Sequence, residues 1–194
     1  CLLTSAKLAD ADPSVLKEVL RGIPGIRSRL ISRTRIVLRE GRKVEWFSAK
    51  AMEEMGQIID WINILKLDRP ERLIMAAAVS AASRDASFAR KDGWKLHRVS
   101  ADKRRHYAMS PWEAFEKRLR YCAVEISREP LLNSKARIDL GDARNLRSVL
   151  QSNKKFDVIL TSPPYGDSRT TVQYGAASAL CLEFASRIEG LEYL

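Results

Sequence analysis

The residues best equipped for chemistry are Ser162, Pro163, Pro164 and Tyr165, which follow the short apolar run Val158-Ile159-Leu160. A run that short, entered from polar residues and closed by Pro-Pro, reads as a buried parallel strand. Ligands in open α/β sheets bind beyond the carboxyl ends of strands. Two consecutive prolines fix two φ angles and remove two N–H donors. They also push Ser162 and Pro163 toward extended backbone. The result is a stiff segment offering carbonyl oxygens, one hydroxyl and one aromatic ring. That set suits the exocyclic amine of an extruded nucleobase. Ser162 Oγ and the Pro163 carbonyl can accept the amine N–H bonds, so that the nitrogen lone pair faces an electrophile. Tyr165 can stack on the base.

The SPPY sequence after an apolar strand resembles the catalytic motif of amino-group DNA methyltransferases, which read (D/N/S)PP(Y/F). The Ser form resembles the cytosine-N4 branch, so the resemblance favours cytosine N4 over adenine N6. Upstream, the stretch ARIDLGDARNL gives a second short strand ending in Gly141-Asp142. A strand–helix–strand distance separates it from Ser162. The resemblance places GDAR-type turns at the adenine of S-adenosylmethionine (SAM), and so implies a cofactor set of Gly141, Asp142, Ala143 and Thr161. Asp142 reads equally as a helix cap. The polar stretch GDSRTTVQYG resembles the loop that follows the motif in a subset of these enzymes, and contributes Arg169 as a DNA contact. The likeness covers roughly residues 136–180.

The elements that must position these groups follow from pattern. The fold class expected is α/β: part of a Rossmann-like SAM-dependent methyltransferase core over 136–194, preceded by a mainly helical section over 1–135. Asp12-Pro13 opens a helix that Gly22 and Pro24 should end. The Arg-rich stretch 27–43 leads to residues 35–38 and 43–47, which flank Glu40-Gly41-Arg42 as a hairpin or as a loop feeding the next helix. Ser48 caps a helix to about Leu65, with Met52, Met55, Ile58, Ile59 and Ile62 at helical spacing and Trp46 or Phe47 as a staple. Asp68-Arg69-Pro70 opens a helix to about Ser83 that is apolar almost all round and rich in alanine, hence buried. Ser110-Pro111-Trp112-Glu113 reads as a capping box for a helix to about Arg128, and residues 174–188 look helical.

Between these helices, 84–109 reads as a long basic loop with Phe88, Trp94 and Tyr107 interleaved. Cations and rings together suit nucleic-acid backbone and base contacts, while a solvated loop is the plain alternative. Its candidate DNA contacts are Arg90, Lys91, Lys95, Arg98, Lys103, Arg104 and Arg105. His97 and His106 have no cysteine or acidic cluster at metal spacing and read as polar surface.

Composition agrees with a nucleic-acid partner. The chain carries 34 basic against 24 acidic residues, a formal charge of +10. That excess favours a polyanion, with plain solubility as the alternative. Cys1, Cys122 and Cys181 are odd in number and far apart, which excludes a disulfide framework and fits a reducing cytoplasm. No run of 18 apolar residues suggests a membrane span.

No two of the nine glycines form a G-x-G turn, the backbone cradle expected at SAM. With Cys at position 1 and an apolar pattern running to Leu194, the reading is of a fragment whose cofactor loop lies upstream, inactive on its own. A cognate restriction endonuclease is the expected partner in a restriction–modification setting. Two other readings stand beside this one: an RNA base-amine methyltransferase and a non-catalytic DNA-binding module.

Overall fold

Helix α4, Arg69–Ala86, is buried from Leu73 to Ser80 without interruption. In this computed structural model, residues 2–29, 43–92, 96–128, 145, 156–160 and 174–191 are described. Around α4 lie α1 (Leu2–Lys7), α2 (Pro13–Arg27), α3 (Ala49–Ile64), α5 (Pro111–Arg128) and α6 (Tyr174–Ala185). Helices α1, α3, α5 and α6 all pack on α4, and α5 also packs on α2. Ala76, Ala77, Ala78 and Ala82 give α4 little side-chain bulk, so neighbours on several sides approach its backbone.

The core between these helices is aromatic at two points. Trp61 of α3 meets Trp112 and Phe115 of α5, with ring centroids 5.8 and 6.4 Å away. Phe47, immediately before α3, meets Phe184 of α6 edge-on at 5.1 Å. Rings at such separations add roughly 0.5–1.5 kcal/mol per pair beyond their burial.

The described residues are helical and contain no strand, only an isolated antiparallel bridge between Ala89 and Arg98. The buried strand expected at 158–160 is not formed: Val158 is 71% exposed, Ile159 76% and Leu160 92%, and Phe156 before them 52%. A parallel strand is buried only when strands pair beside it and helices cover it. No described strand lies beside this one.

Other expectations changed for local reasons. Helix α2 continues through Gly22 and Pro24 to Arg27, because Ile23 and Ile26 extend the stripe begun by Leu16 and Val19. Pro24 lies in the last turn and faces solvent, so its missing N–H removes a single hydrogen bond. Residues Lys43–Trp46 form a 3₁₀ turn rather than a strand, which is the alternative of a segment feeding α3; residues 30–42 lie outside the described part. The expected capping-box residues take other partners. Ser110 Oγ donates to Glu54 Oε2 at 2.7 Å, and Glu113 faces Arg27 at 3.6 Å. Helix α1 had no signal in the sequence, being six residues long, yet it buries Leu2 and Ala6.

The other helix starts agree with the sequence. Asp12 Oδ1 accepts from the Ser14 N–H at 2.7 Å, and Ser48 Oγ from the Ala51 N–H at 3.0 Å. The Ser14 hydrogen bonds hold the Asp12 carboxyl below its usual range.

Helix α6 runs antiparallel to α4. Its C-terminal end is tied to the start of α4 by Arg72, whose guanidinium donates to the carbonyls of Leu65, Leu67 and Glu189 at 3.0, 3.1 and 3.4 Å. Asn63 adds two bonds, accepting from the Glu189 N–H and donating to the Arg187 carbonyl. The chain then turns at Gly190, whose φ of +76° suits glycine. At the other end, Cys181 lies within electrostatic reach of Arg84 and Asp85. At 1.5 Å per residue, Tyr174 lies about 10 Å further along. The start of α6 is therefore at the end of the bundle where α4 finishes.

Replacing Arg72 with Ala removes the donor that joins three carbonyls from two chain segments, the 65–67 connection and Glu189. The expected loss is about 1–3 kcal/mol in chemical unfolding. An unchanged midpoint would mean that these carbonyls are satisfied by solvent.

Candidate nucleic-acid interface

The segment after α4, expected to be an irregular loop, is folded. Helix α4 itself runs to Ala86, beyond the expected stop at Ser83. Phe88 donates its N–H to the Trp46 carbonyl at 2.8 Å, Val99 donates to Phe88 at 2.9 Å, and Arg90 donates to His97 at 2.8 Å. These bonds set two short arms antiparallel around the Ala89–Arg98 bridge. The 3₁₀ turn Ala101–His106 follows. Ala89 and Val99 are buried and fasten the segment to the bundle.

Asp85 holds the two ends of this segment together. Its carbonyl accepts from Lys91 Nζ at 3.0 Å and from the Met109 N–H at 3.2 Å. Its carboxylate accepts from Arg118 Nε of α5 at 2.8 Å and lies 2.7 Å from Arg118 Nη2 in an ion pair. A carboxylate in the last turn of a helix is disfavoured by the helix dipole. The paired guanidinium offsets that.

The candidate DNA contacts fall into distinct environments. Arg90 closes both Nε and Nη2 on Asp92, at 3.0 and 2.6 Å. That pairing raises the Arg90 pKa and lowers that of Asp92. Arg98 pairs with Glu45 and lies 5.5 Å over the Trp46 ring. Arg104 donates Nε–H to the Val99 carbonyl at 3.2 Å and lies 5.5 Å over Phe88. Lys91 Nζ lies 5.1 Å from the Tyr107 ring centre, and the Tyr107 hydroxyl accepts the Lys91 backbone N–H. Lys103 is exposed and has no ion-pair partner among the described residues. Trp94, Lys95, Arg169 and the Arg105 side chain lie outside the described residues. So do the expected catalytic residues Ser162, Pro163, Pro164 and Tyr165 and the expected cofactor residues Gly141, Asp142, Ala143 and Thr161.

Sequence reading missed Glu45, Trp46 and Asp85 as parts of this site. Glu45 and Trp46 are more than 40 positions from Arg98, and nothing local signals their pairing. A groove of about 270 Å³ lies nearby, lined by Arg27, Lys50, Glu53, Glu54, Gln57 and Trp112. Its walls carry both charge signs. Trp112 Nε1 donates to Gln57 and Ser110 donates to Glu54, so much of its polarity is satisfied internally. Among the described residues, no three His, Cys, Asp or Glu side chains gather as a metal site, and no helix is long and apolar enough to cross a membrane.

The chain is similar to the Type II methyltransferase M.MvaI of Kocuria varians, at 29% identity over 152 residues. The alignment covers 72% of this chain and 32% of that protein, so the chain spans about a third of its relative's length. No family model matches the chain, and no solved structure matches it.

Burial pushes the Cys122 and Cys181 thiols above their usual range, against a smaller opposing effect of Arg118 and Arg84 respectively. The thiolate is the reactive form. Both cysteines should therefore alkylate more slowly at pH 8 in the native protein than in urea, as followed by peptide mapping with iodoacetamide. Equal rates in the two states would show thiols that are neither buried nor shifted.

Proposed function

We propose that the whole protein is a SAM-dependent DNA methyltransferase. It would transfer a methyl group to the exocyclic amine of a base flipped from the duplex, with cytosine N4 favoured over adenine N6. The observation that carries this reading is the SPPY sequence at 162–165. The similarity to a Type II methyltransferase supports it from a separate direction. The basic segment at the end of α4 supports DNA as the partner. A restriction–modification setting, with a cognate endonuclease, accords with the relative's name.

When bound, SAM supplies an electrophilic methyl group. Gly141, Asp142, Ala143 and Thr161 would hold its adenosine end: the Asp142 carboxylate would accept from the adenine amine, and Gly141 would allow backbone to come close. Ser162 Oγ and the Pro163 carbonyl accept the two N–H bonds of the target amine and orient its lone pair. Pro164 keeps the segment stiff, so this geometry costs little to hold. Tyr165 stacks on the flipped base, replacing the neighbours that the base lost. In transfer the amine nitrogen would bond to the methyl carbon as the sulfur–carbon bond of SAM breaks, leaving S-adenosylhomocysteine as the neutral thioether, and the nitrogen would give up one proton to water. No covalent bond between enzyme and base is needed, and no cysteine stands at the motif.

Cytosine is favoured because Ser stands at the first motif position. A hydroxyl is a weaker acceptor than a carboxylate or amide oxygen, and the resemblance associates Ser with the cytosine branch.

In the whole protein, Ser162→Ala should slow methyl transfer roughly a hundredfold or more, the scale of losing one catalytic hydrogen bond. Tyr165→Ala should cost about 1–3 kcal/mol for the base, while Tyr165→Phe keeps the ring and should be mild. Transfer of label from radioactive SAM to duplex DNA reads all three. Full activity in Ser162→Ala would remove the motif from the chemistry.

A further inference from the structure

Phe88 and Tyr107 were expected to offer free rings to bases, and they do not; Trp94 lies outside the described residues. Arg98 covers Trp46, Arg104 covers Phe88 and Lys91 covers Tyr107. All three rings are only half-exposed. A base that stacked on the covered face would have to displace a cation that the ring quadrupole holds.

The same arrangement leaves the cations well supplied with donors. A charge held over a ring face is positioned without spending its N–H bonds. Arg104 spends Nε–H on the Val99 carbonyl and keeps both Nη groups. Lys91 spends one of three N–H bonds on the Asp85 carbonyl. Lys103 is exposed beside them on the 3₁₀ turn. The exposed His97 and His106 share the segment, as does one further acid, Asp102.

Two carboxylates occupy the remaining cations. Asp92 takes Arg90 through two parallel bonds, the fork geometry that guanidinium also uses on phosphate. Glu45 takes Arg98 across more than 50 residues of chain. Both pairs are open to solvent and are therefore weak enough to exchange.

We propose that residues 87–92 and 96–107, together with the 3₁₀ turn before α3, are a surface for the sugar–phosphate backbone of duplex DNA that reads no bases, and that Glu45 and Asp92 hold phosphate positions on it until DNA replaces them. This rests on the DNA methyltransferase reading for the choice of DNA, and it assigns base recognition to another part of the protein.

The test is fluorescence anisotropy of the whole protein on two labelled duplexes of unrelated sequence over a range of salt. Lys103→Ala and Arg104→Ala should weaken both complexes alike and each reduce the salt slope by about one. Glu45→Gln and Asp92→Asn should each tighten both complexes, by about 1.5- to 5-fold, because each frees a cation from a weak surface pair. Asp92 lies away from α3, so it checks the result independently if Glu45→Gln disturbs folding. Weaker or unchanged binding in both acid variants would overturn the proposal. So would a change in the ratio between the two sequences in Lys103→Ala or Arg104→Ala. Tighter binding to a duplex RNA of the same length would overturn the choice of DNA. Failure to bind any duplex at low salt would instead remove the DNA reading itself. Binding with unchanged slopes would remove only this surface.

Discussion

The close approach that alanine allows along α4 is the constraint on which the other packing depends. Four helices meet one central helix, and that helix must be thin. Larger side chains at Ala76, Ala77, Ala78 or Ala82 would push neighbours outward, and overpacking of this kind typically costs about 1–3 kcal/mol. The buried serines on α4 do not break the pattern, since Ser83 returns its hydroxyl bond to the Val79 carbonyl of its own helix at 2.7 Å.

Both ends of α4 carry the polar groups that distribute the rest of the chain. At its start, the buried Glu71 accepts from the Asp12 N–H at 2.8 Å and so fixes the entry to α2, while the helix dipole favours its charge there. Arg72, one residue on, ties down the end of α6. At its finish, Asp85 gathers Lys91, Met109 and Arg118. The helix thus anchors the C-terminal segment at one end and the basic surface at the other. Because α6 is antiparallel to α4, its start at Tyr174 stands at the basic end.

Much of this was legible in sequence because it is local. Ser48, Asp12 and Pro111 announce helix starts through chemistry within three residues, and the alanine run of α4 announces burial directly. What was not legible depended on distant partners. Pro24 reads as a stop until Ile23 and Ile26 find a face to pack on. Phe88 and Tyr107 read as free rings until Arg104 and Lys91 settle over them, and Trp46, read as a staple, lies under Arg98. The apolar run at 158–160 reads as a buried strand, yet its burial needs strands that no pattern in three residues can supply. The SPPY chemistry is the opposite case: it was read from four side chains in sequence, and those residues lie outside the described part.

The most direct measurement is mass spectrometry of nucleosides from duplex DNA incubated with the whole protein and SAM. N4-methylcytosine is the expected product, absent when SAM is withheld. N6-methyladenine alone would overturn the choice of base and leave amine methylation standing. DNA with no methylated amine, from protein that binds both DNA and SAM, would contradict the proposed activity.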